Sequence, residues 1–336
     1  MTANSRLPGR QRRGESRLCR SRPVAALVAI TVAAITMSPV AAETLRVGKA
    51  GREGFSFVPA EIGVDAGIYK KHGIDLQISG FAGDARVQQA MAADSIDIGL
   101  GSGPGLAFIV KGSPVKGIAA MSGPPLLFTL VVRADGSVKT VEDLKGRKVG
   151  VSTVGSATSW IVDEVARREG WGVDAMSQVP VGDDSNRIAA LRTKSIDAAI
   201  VNLAVALKFL QGGDGRILLR FNNLLKDFHT HVIFATDKAI ATKPEALRAF
   251  LAGWFETVAF MRRNKARSLK IAQEIMSTDD ATSSGIYDEL MPMFSETGRF
   301  NPTALAVLGR SFVEMKMLPT EPDMTTLYTE EFLPKH

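Results

Sequence analysis

Cysteine is almost missing from this chain: Cys19 is the only one, and it lies in the first two dozen residues. From residue 43 onward there is no thiol, which excludes disulfides and thiolate metal sites there. Net charge is missing from the same stretch. The formal +6 over 336 residues suggests a nucleic-acid or membrane partner. Residues 1–42, however, hold seven arginines and one acid, Glu15, leaving 34 basic and 34 acidic residues for 43–336. A generally basic binding face, and with it nucleic acid as a partner, is not indicated. Past residue 42 no run is long and apolar enough to span a bilayer. Catalytic signatures are missing too. Gly99-Leu100-Gly101-Ser102-Gly103-Pro104-Gly105 fails the dinucleotide spacing and lacks the Gly-Lys-Ser/Thr ending of a phosphate loop. No G-x-S-x-G, H-E-x-x-H or zinc-cysteine pattern occurs, which lowers the case for an enzyme.

What is present begins with a sorting signal. Residues 1–22 are basic, Pro23 to Met37 are apolar and uncharged, and Ser38-Pro39-Val40-Ala41-Ala42 offers small residues to a peptidase. This is the order of a secretory signal peptide cut after Ala42, so the mature protein is exported and not membrane-embedded. Arg12-Arg13 looks like a twin-arginine pair, but Gly14-Glu15-Ser16 lacks the apolar residues that follow one; the general export route fits better.

The mature part repeats at about one hundred residues. Ala90-Met91-Ala92-Ala93-Asp94-Ser95-Ile96-Asp97 matches Ala190-Leu191-Arg192-Thr193-Lys194-Ser195-Ile196-Asp197, and Gly112 falls opposite Gly212. Each unit reads strand–helix three times. Strands are expected at 45–48, 75–79 and 96–100 in the first unit, and at 148–152, 178–181 and 198–201 in the second. Asp84, Ser156 and Asp184 are placed to cap helices, and Gly73, Gly112, Gly170 and Gly212 to stop them. Alternating units imply parallel sheets with right-handed crossovers. The apolar β-rich runs 128–133 and 232–235 read as two crossings between lobes. The tail is helical at 244–264, 266–277, 283–291 and 302–316, with Asn301-Pro302 as a capped start. The expected division is a leader 1–42, a first lobe of 43–133 plus 234–336, and a second lobe of 134–233.

Two α/β lobes, two crossings, a helical tail and an export signal resemble the periplasmic solute-binding proteins of ABC importers. The nearer likeness is to the branch of sulfonate, taurine and nitrate binders and THI5-like binders of a thiamine pyrimidine precursor. The residues that carry it are Leu45-Arg46-Val47-Gly48, Gly67-Ile68-Tyr69, Gly73-Ile74-Asp75-Leu76, Ser95-Ile96-Asp97-Ile98-Gly99, Leu144-Lys145-Gly146-Arg147-Lys148-Val149-Gly150 and Ser195-Ile196-Asp197-Ala198. The resemblance implies a type II periplasmic-binding-protein-like fold and a periplasmic monomer. It implies a small solute as ligand, an ABC permease with its ATPase as partner, and no cofactor and no catalysis.

In parallel α/β sheets, ligands sit beyond the carboxyl ends of the strands, where helix starts offer free N–H groups. That selects 48–57, 100–104, 152–158 and Asn202. Phe57, Ser102, Gly103, Gly155, Ser156, Ala157, Thr158 and Asn202 are the candidate ligand-binding residues, with Trp160 as a possible cover and Lys49 and Arg52 as counter-charges. The plainer reading is that Ser102 and Ser156 only cap helices, the glycines only permit turns, and the two cations are solvated. His229-Thr230-His231 puts two imidazoles on one face if extended, a metal pair only if a further ligand joins them. A Ser/Thr/Gly-lined loop favours an organic anion such as a sulfonate or carboxylate. A pyrimidine-like solute is the alternative, and an enzyme of the THI5-like fold a weaker one: the pyrimidine synthases of that fold use a cysteine-rich motif, absent here. A sensor domain for a signalling partner is a third class, disfavoured by the lack of any fused domain.

Overall fold

The computed structural model describes residues 42–124, 126–221 and 227–335. The leader and Cys19 lie outside these residues. Among the described residues, ten strands form two five-stranded sheets. They are β1 (Glu43–Lys49), β2 (Ile74–Gly80), β3 (Ile98–Ser102), β4 (Val115–Ser122), β5 (Phe128–Arg133), β6 (Lys148–Val151), β7 (Ser177–Pro180), β8 (Ala198–Asn202), β9 (Gly215–Arg220) and β10 (His231–Thr236). The first sheet has the order β2-β1-β3-β10-β4 and the second β7-β6-β8-β5-β9. Helices fill the connections, so the fold is that of two α/β lobes with a helical C-terminal region.

The sheets are mixed rather than all parallel. β10 runs antiparallel to β3 and β4, and β5 runs antiparallel to β8 and β9. Each of these two strands has crossed from the other half of the chain and inserted between strands of the opposite sheet. That placement explains their composition: all six residues of β5 and all six of β10 are buried, as a strand covered on both faces requires. The boundary expected at 133/134 therefore lies at the far end of a strand of the second sheet, and that at 233/234 falls inside a strand of the first. β4 and β9 were not among the expected strands. Lys116-Gly117-Ile118-Ala119-Ala120-Met121 alternates neither by two nor by 3.6, and its burial comes from the sheet.

The internal repeat is a structural one. Asp97 accepts the backbone N–H of Arg46, in the middle of β1, at 2.9 Å, and Asp197 accepts that of Lys148, at the start of β6, at 3.0 Å. A Cβ on Gly48 would lie 2.5 Å from Ile96 Cδ1, and one on Gly150 would lie 2.5 Å from Ile196 Cδ1. Asp94 and Lys194 both take left-handed φ values, 54° and 61°, just before the matching Ser-Ile-Asp. The tail helices Pro244–Arg263, Lys265–Met276, Asp280–Leu290 and Pro302–Glu314 return to the first lobe. Tyr69 stacks on Phe250 with centroids 5.6 Å apart, Tyr328 bridges to Gly117, and Phe294 bridges to Ser122. Asn301 caps the last of these helices, accepting from Ala304 N at 3.1 Å.

Asp97 is buried and also meets Arg46 Nη2 at 2.8 Å and Lys243 Nζ at 3.2 Å. Burial pushes its carboxyl up, but the Arg46 and Lys243 contacts outweigh that and hold it below the ordinary range. A lowered native pKa contributes stability above the unfolded value of about 3.9, which is lost as pH falls through the native one. Asp97→Asn is expected to cost about 1–2 kcal/mol at neutral pH, solvent screening of the two cations keeping it modest. Thermal melts of the variant should also lose part of the wild-type acid sensitivity below about pH 4.

Candidate functional site

The carboxyl ends of β1, β3, β6 and β8 face one cleft between the two sheets. The first lobe contributes Arg52, Glu53, Ser56 and Phe57 from the turn after β1, Asp84 from the helix Asp84–Ala92, and His231 from β10. The second contributes Ser152, Ala157 and Thr158 around the start of the helix Ala157–Arg168, Asp183, Asp184 and Arg187 around the start of Asp184–Arg192, and Asn202 at the tip of β8. Leu127 and Phe128 close one end where the chain crosses. The lobes meet over this space. Arg52 Nη1 lies 3.5 Å from Asp183 Oδ2, and Ala85 donates its N–H to Thr153 Oγ1 at 3.4 Å.

Two buried aspartates organise the cleft, one per lobe and one hundred residues apart. Asp84 accepts the N–H of Ser102 at the end of β3. Asp184 accepts the N–H of Asn202 at the end of β8, at 3.1 Å, and also takes hydrogen bonds from Asn202 Nδ2 and Arg187 Nη2. Burial pushes the Asp84 carboxyl up to about 6, against the pull of the Ser102 bonds. Arg187 is 3 % exposed and spends Nη1 on the Gly182 carbonyl, which leaves Nε with no partner. Ser56 Oγ, Asn202 Oδ1 and Asp183 Oδ1 are buried and unpartnered as well. Buried polar atoms are nearly always satisfied, and four orphans from two lobes facing one space mark the place where a polar guest would complete them.

His231 Nδ1 is 3.0 Å from Ser122 Oγ, and its ring meets Phe57 edge-on at 5.0 Å. Burial lowers its pKa to about 3, so the imidazole is neutral. Glu53 and Asp183 both have carboxyls pushed up, first by burial; Asp184 and Asp183 add repulsion at Glu53, and Asp184 adds it at Asp183.

Of the candidates from sequence, Phe57, Ala157, Thr158 and Asn202 line the cleft; Ser102, Gly103, Gly155 and Ser156 do not. Ser156 is the helix cap, accepting from Ser159 N at 3.2 Å, and its Oγ lies 2.8 Å from Thr158 Oγ1, which accepts from Ser152 N at 2.9 Å. Ser102 Oγ is buried without a partner. Gly103 serves the crossing: its N–H donates to Thr230 O at 3.1 Å, and an added Cβ would come within 2.0 Å of the His229 carbonyl oxygen. Gly155, at φ +77°, packs near Met317 and Phe108 of the first lobe. Trp160 stacks on Phe228 at 3.7 Å rather than covering the cleft. Lys49 is paired with Glu61, and His229 Nε2 accepts from Asn301 N at 2.9 Å. Ser56, Asp183 and Arg187 line the cleft as well and were not among those candidates. Their sequence signal was positional only: each sits just after a strand, at the start of the next helix.

The sequence matches the model of a family described as NMT1/THI5 like over residues 55–266. A Brucella abortus protein named only as a binding protein is 27% identical over 225 residues, 66% of this chain and 68% of that one. A 4-amino-5-hydroxymethyl-2-methylpyrimidine phosphate synthase of Candida albicans is 27% identical over 208 residues, 58% of this chain and 60% of the enzyme. Among solved structures, the alkanesulfonate-binding protein SsuA of Xanthomonas axonopodis pv. citri, bound to MOPS, superposes with a TM-score of 0.72 at 16% identity, covering 85% of this chain and 98% of that one. This likeness establishes the periplasmic-binding-protein fold.

Gly103→Ala tests whether the crossing needs that close approach. The neighbour is a backbone atom that cannot swing aside, so the cost is about 1–3 kcal/mol. The melting midpoint is expected to fall by several degrees, while Gly172→Ala, which meets nothing within 4 Å, leaves it unchanged.

Proposed function

Because the chain belongs to the NMT1/THI5-like family, we propose that it is an exported binding protein that captures a small solute between its lobes and hands it to an ABC-type permease driven by a separate ATPase. It performs no chemistry on the solute. The observation that carries this reading is the set of unpartnered buried atoms, Ser56 Oγ, Arg187 Nε, Asn202 Oδ1 and Asp183 Oδ1, supplied by both lobes to one space. A guest that satisfies them joins the lobes, and so stabilises the closed form more than the open one; that difference is what drives closure.

The ligand class follows from the same atoms. Arg187 Nε, Ser56 Oγ and the free N–H groups at the start of Ala157–Arg168 suit an oxyanion such as a sulfonate or carboxylate. Asp183, Asn202 and Glu53 are acceptors, and a pure anion would leave them unsatisfied or repelled. The solute is therefore an organic anion that also carries N–H donors. A pyrimidine-like solute is the second reading, favoured by the Phe57, Phe128 and His231 rings along the cleft and by the pyrimidine named for the Candida relative.

Thermal-shift screening of purified protein against amino-sulfonates, plain sulfonates, carboxylates and aminopyrimidines identifies the class. Ser56→Ala then tests the site. Its hydroxyl has no partner in the protein, so the melting point without solute should stay put. Affinity by calorimetry should fall roughly tenfold, about 1.4 kcal/mol. Unchanged affinity would remove Ser56 from the site, and no shift with any of the four classes would count against solute capture.

A further inference from the structure

Carboxylates of the two lobes face one another at two separate places. In the cleft, Glu53 of the first lobe meets Asp183, Asp184, Ser185 and Lys208, all from the second. Asp183 in turn faces Arg52 across the lobes, with Asp184 and Arg187 beside it. The second place is the seam under the C-terminal tail. There Asp163, on the helix Ala157–Arg168, is buried and accepts from Gln178 Nε2 at 2.7 Å. Asp174 faces it from its own lobe, and Glu314 and Lys316 from the tail of the other. Lys316 Nζ reaches Asp174 Oδ2 at 2.5 Å, so this cation is committed to a different carboxylate, while Arg167 on the Asp163 helix pairs with Glu164 and faces Glu314.

We infer that closing the lobes takes up protons at Glu53, Asp183 and Asp163, so that the closed form is favoured as pH falls. The reasoning is geometric first. Opening separates Glu53 from both second-lobe aspartates and Asp163 from Glu314, and readmits water to all of them; closing removes water and sets like charges together. Burial is the leading cause of the upward push on each of the three, with the facing carboxylates adding to it, and for Asp163 the carboxyl reaches about 7. A group whose pKa is higher in the closed form than in the open one binds more protons closed. Closure is thus promoted below the raised value and opposed above it. His231, in the same cleft, is held neutral by burial against Ser122 and Phe57 of its own lobe, contacts that opening does not separate. Asp84, its carboxyl pushed up to about 6 by burial, is tied to Ser102 within its own lobe, a contact that opening does not separate.

This inference rests on the closing motion of the proposed function, but not on which solute is carried, and it can be read without any solute. Small-angle X-ray scattering of the purified protein from about pH 8.5 to about pH 5 measures closure as a fall in the radius of gyration. Wild type is expected to become more compact across that range. Glu53→Gln and Asp163→Asn should each weaken the response, and the double variant should lose more than half of it while already compact at the alkaline end. A wild-type radius that does not move, or a double variant that responds as fully as wild type with an unchanged melting point, overturns the inference. Neither result touches solute capture, which the thermal-shift screen decides separately.

Discussion

A buried aspartate at the head of a helix, holding the backbone N–H at the tip of the neighbouring strand, is the contact on which the rest of this molecule depends. It occurs once in each lobe, as Asp84 with Ser102 and Asp184 with Asn202, with the same spacing of 18 residues. Each contact fixes a helix start and a strand end in one place, and so aims a set of polar groups out of the sheet. Without it, Arg187 would lose its anchor and the tips of β3 and β8 their register toward the cleft. A desolvated carboxylate is costly unless its lone pairs are filled. Here backbone N–H groups fill them in one lobe, and N–H groups with a guanidinium in the other.

Duplication of that contact gives each lobe a matching share of the proposed site. Each half provides about half of a polar lining, and the two crossing strands bring the halves together. β5 and β10 are swapped between sheets, so the lobes are joined through the middle of each sheet and not at an edge. Each crossing strand is thus seated between two strands of the sheet it enters, while the seams on either side include side chains that can part: Arg52 with Asp183, Lys316 with Asp174, Arg220 with Glu289. Polar contacts of that kind are the ones that domain motion can break and remake.

The repeat, the strand–helix alternation and the helical tail were legible in the sequence because each rests on local pattern. Ser-Ile-Asp at 95–97 and 195–197, the apolar runs at 128–133 and 232–235, and Asn301-Pro302 all report on their own neighbourhoods. The insertion of β5 and β10 into the opposite sheets was not legible, since apolar content gives burial but not a partner or a direction. At the site, Phe57, Ala157, Thr158 and Asn202 were reachable from the rule that ligands gather at strand tips. Gly103 and Gly155 satisfied the same rule, and the structure places both in close packing. Asp84 and Asp184, read as caps, are instead the first residues inside their helices, after Gly83 and Asp183, and turn inward; Arg187 was unreachable because on a polar, weakly amphipathic helix an inward-facing charged residue looks like a solvated one until its partners are in place.

A crystal structure of the protein with the solute that stabilises it most would test the central claim directly. The account predicts the solute enclosed between the lobes, within hydrogen-bonding distance of Ser56 Oγ, Arg187 Nε and Asn202 Oδ1. A solute held by one lobe only, or bound on the outer surface with those three atoms still unpartnered, would contradict it.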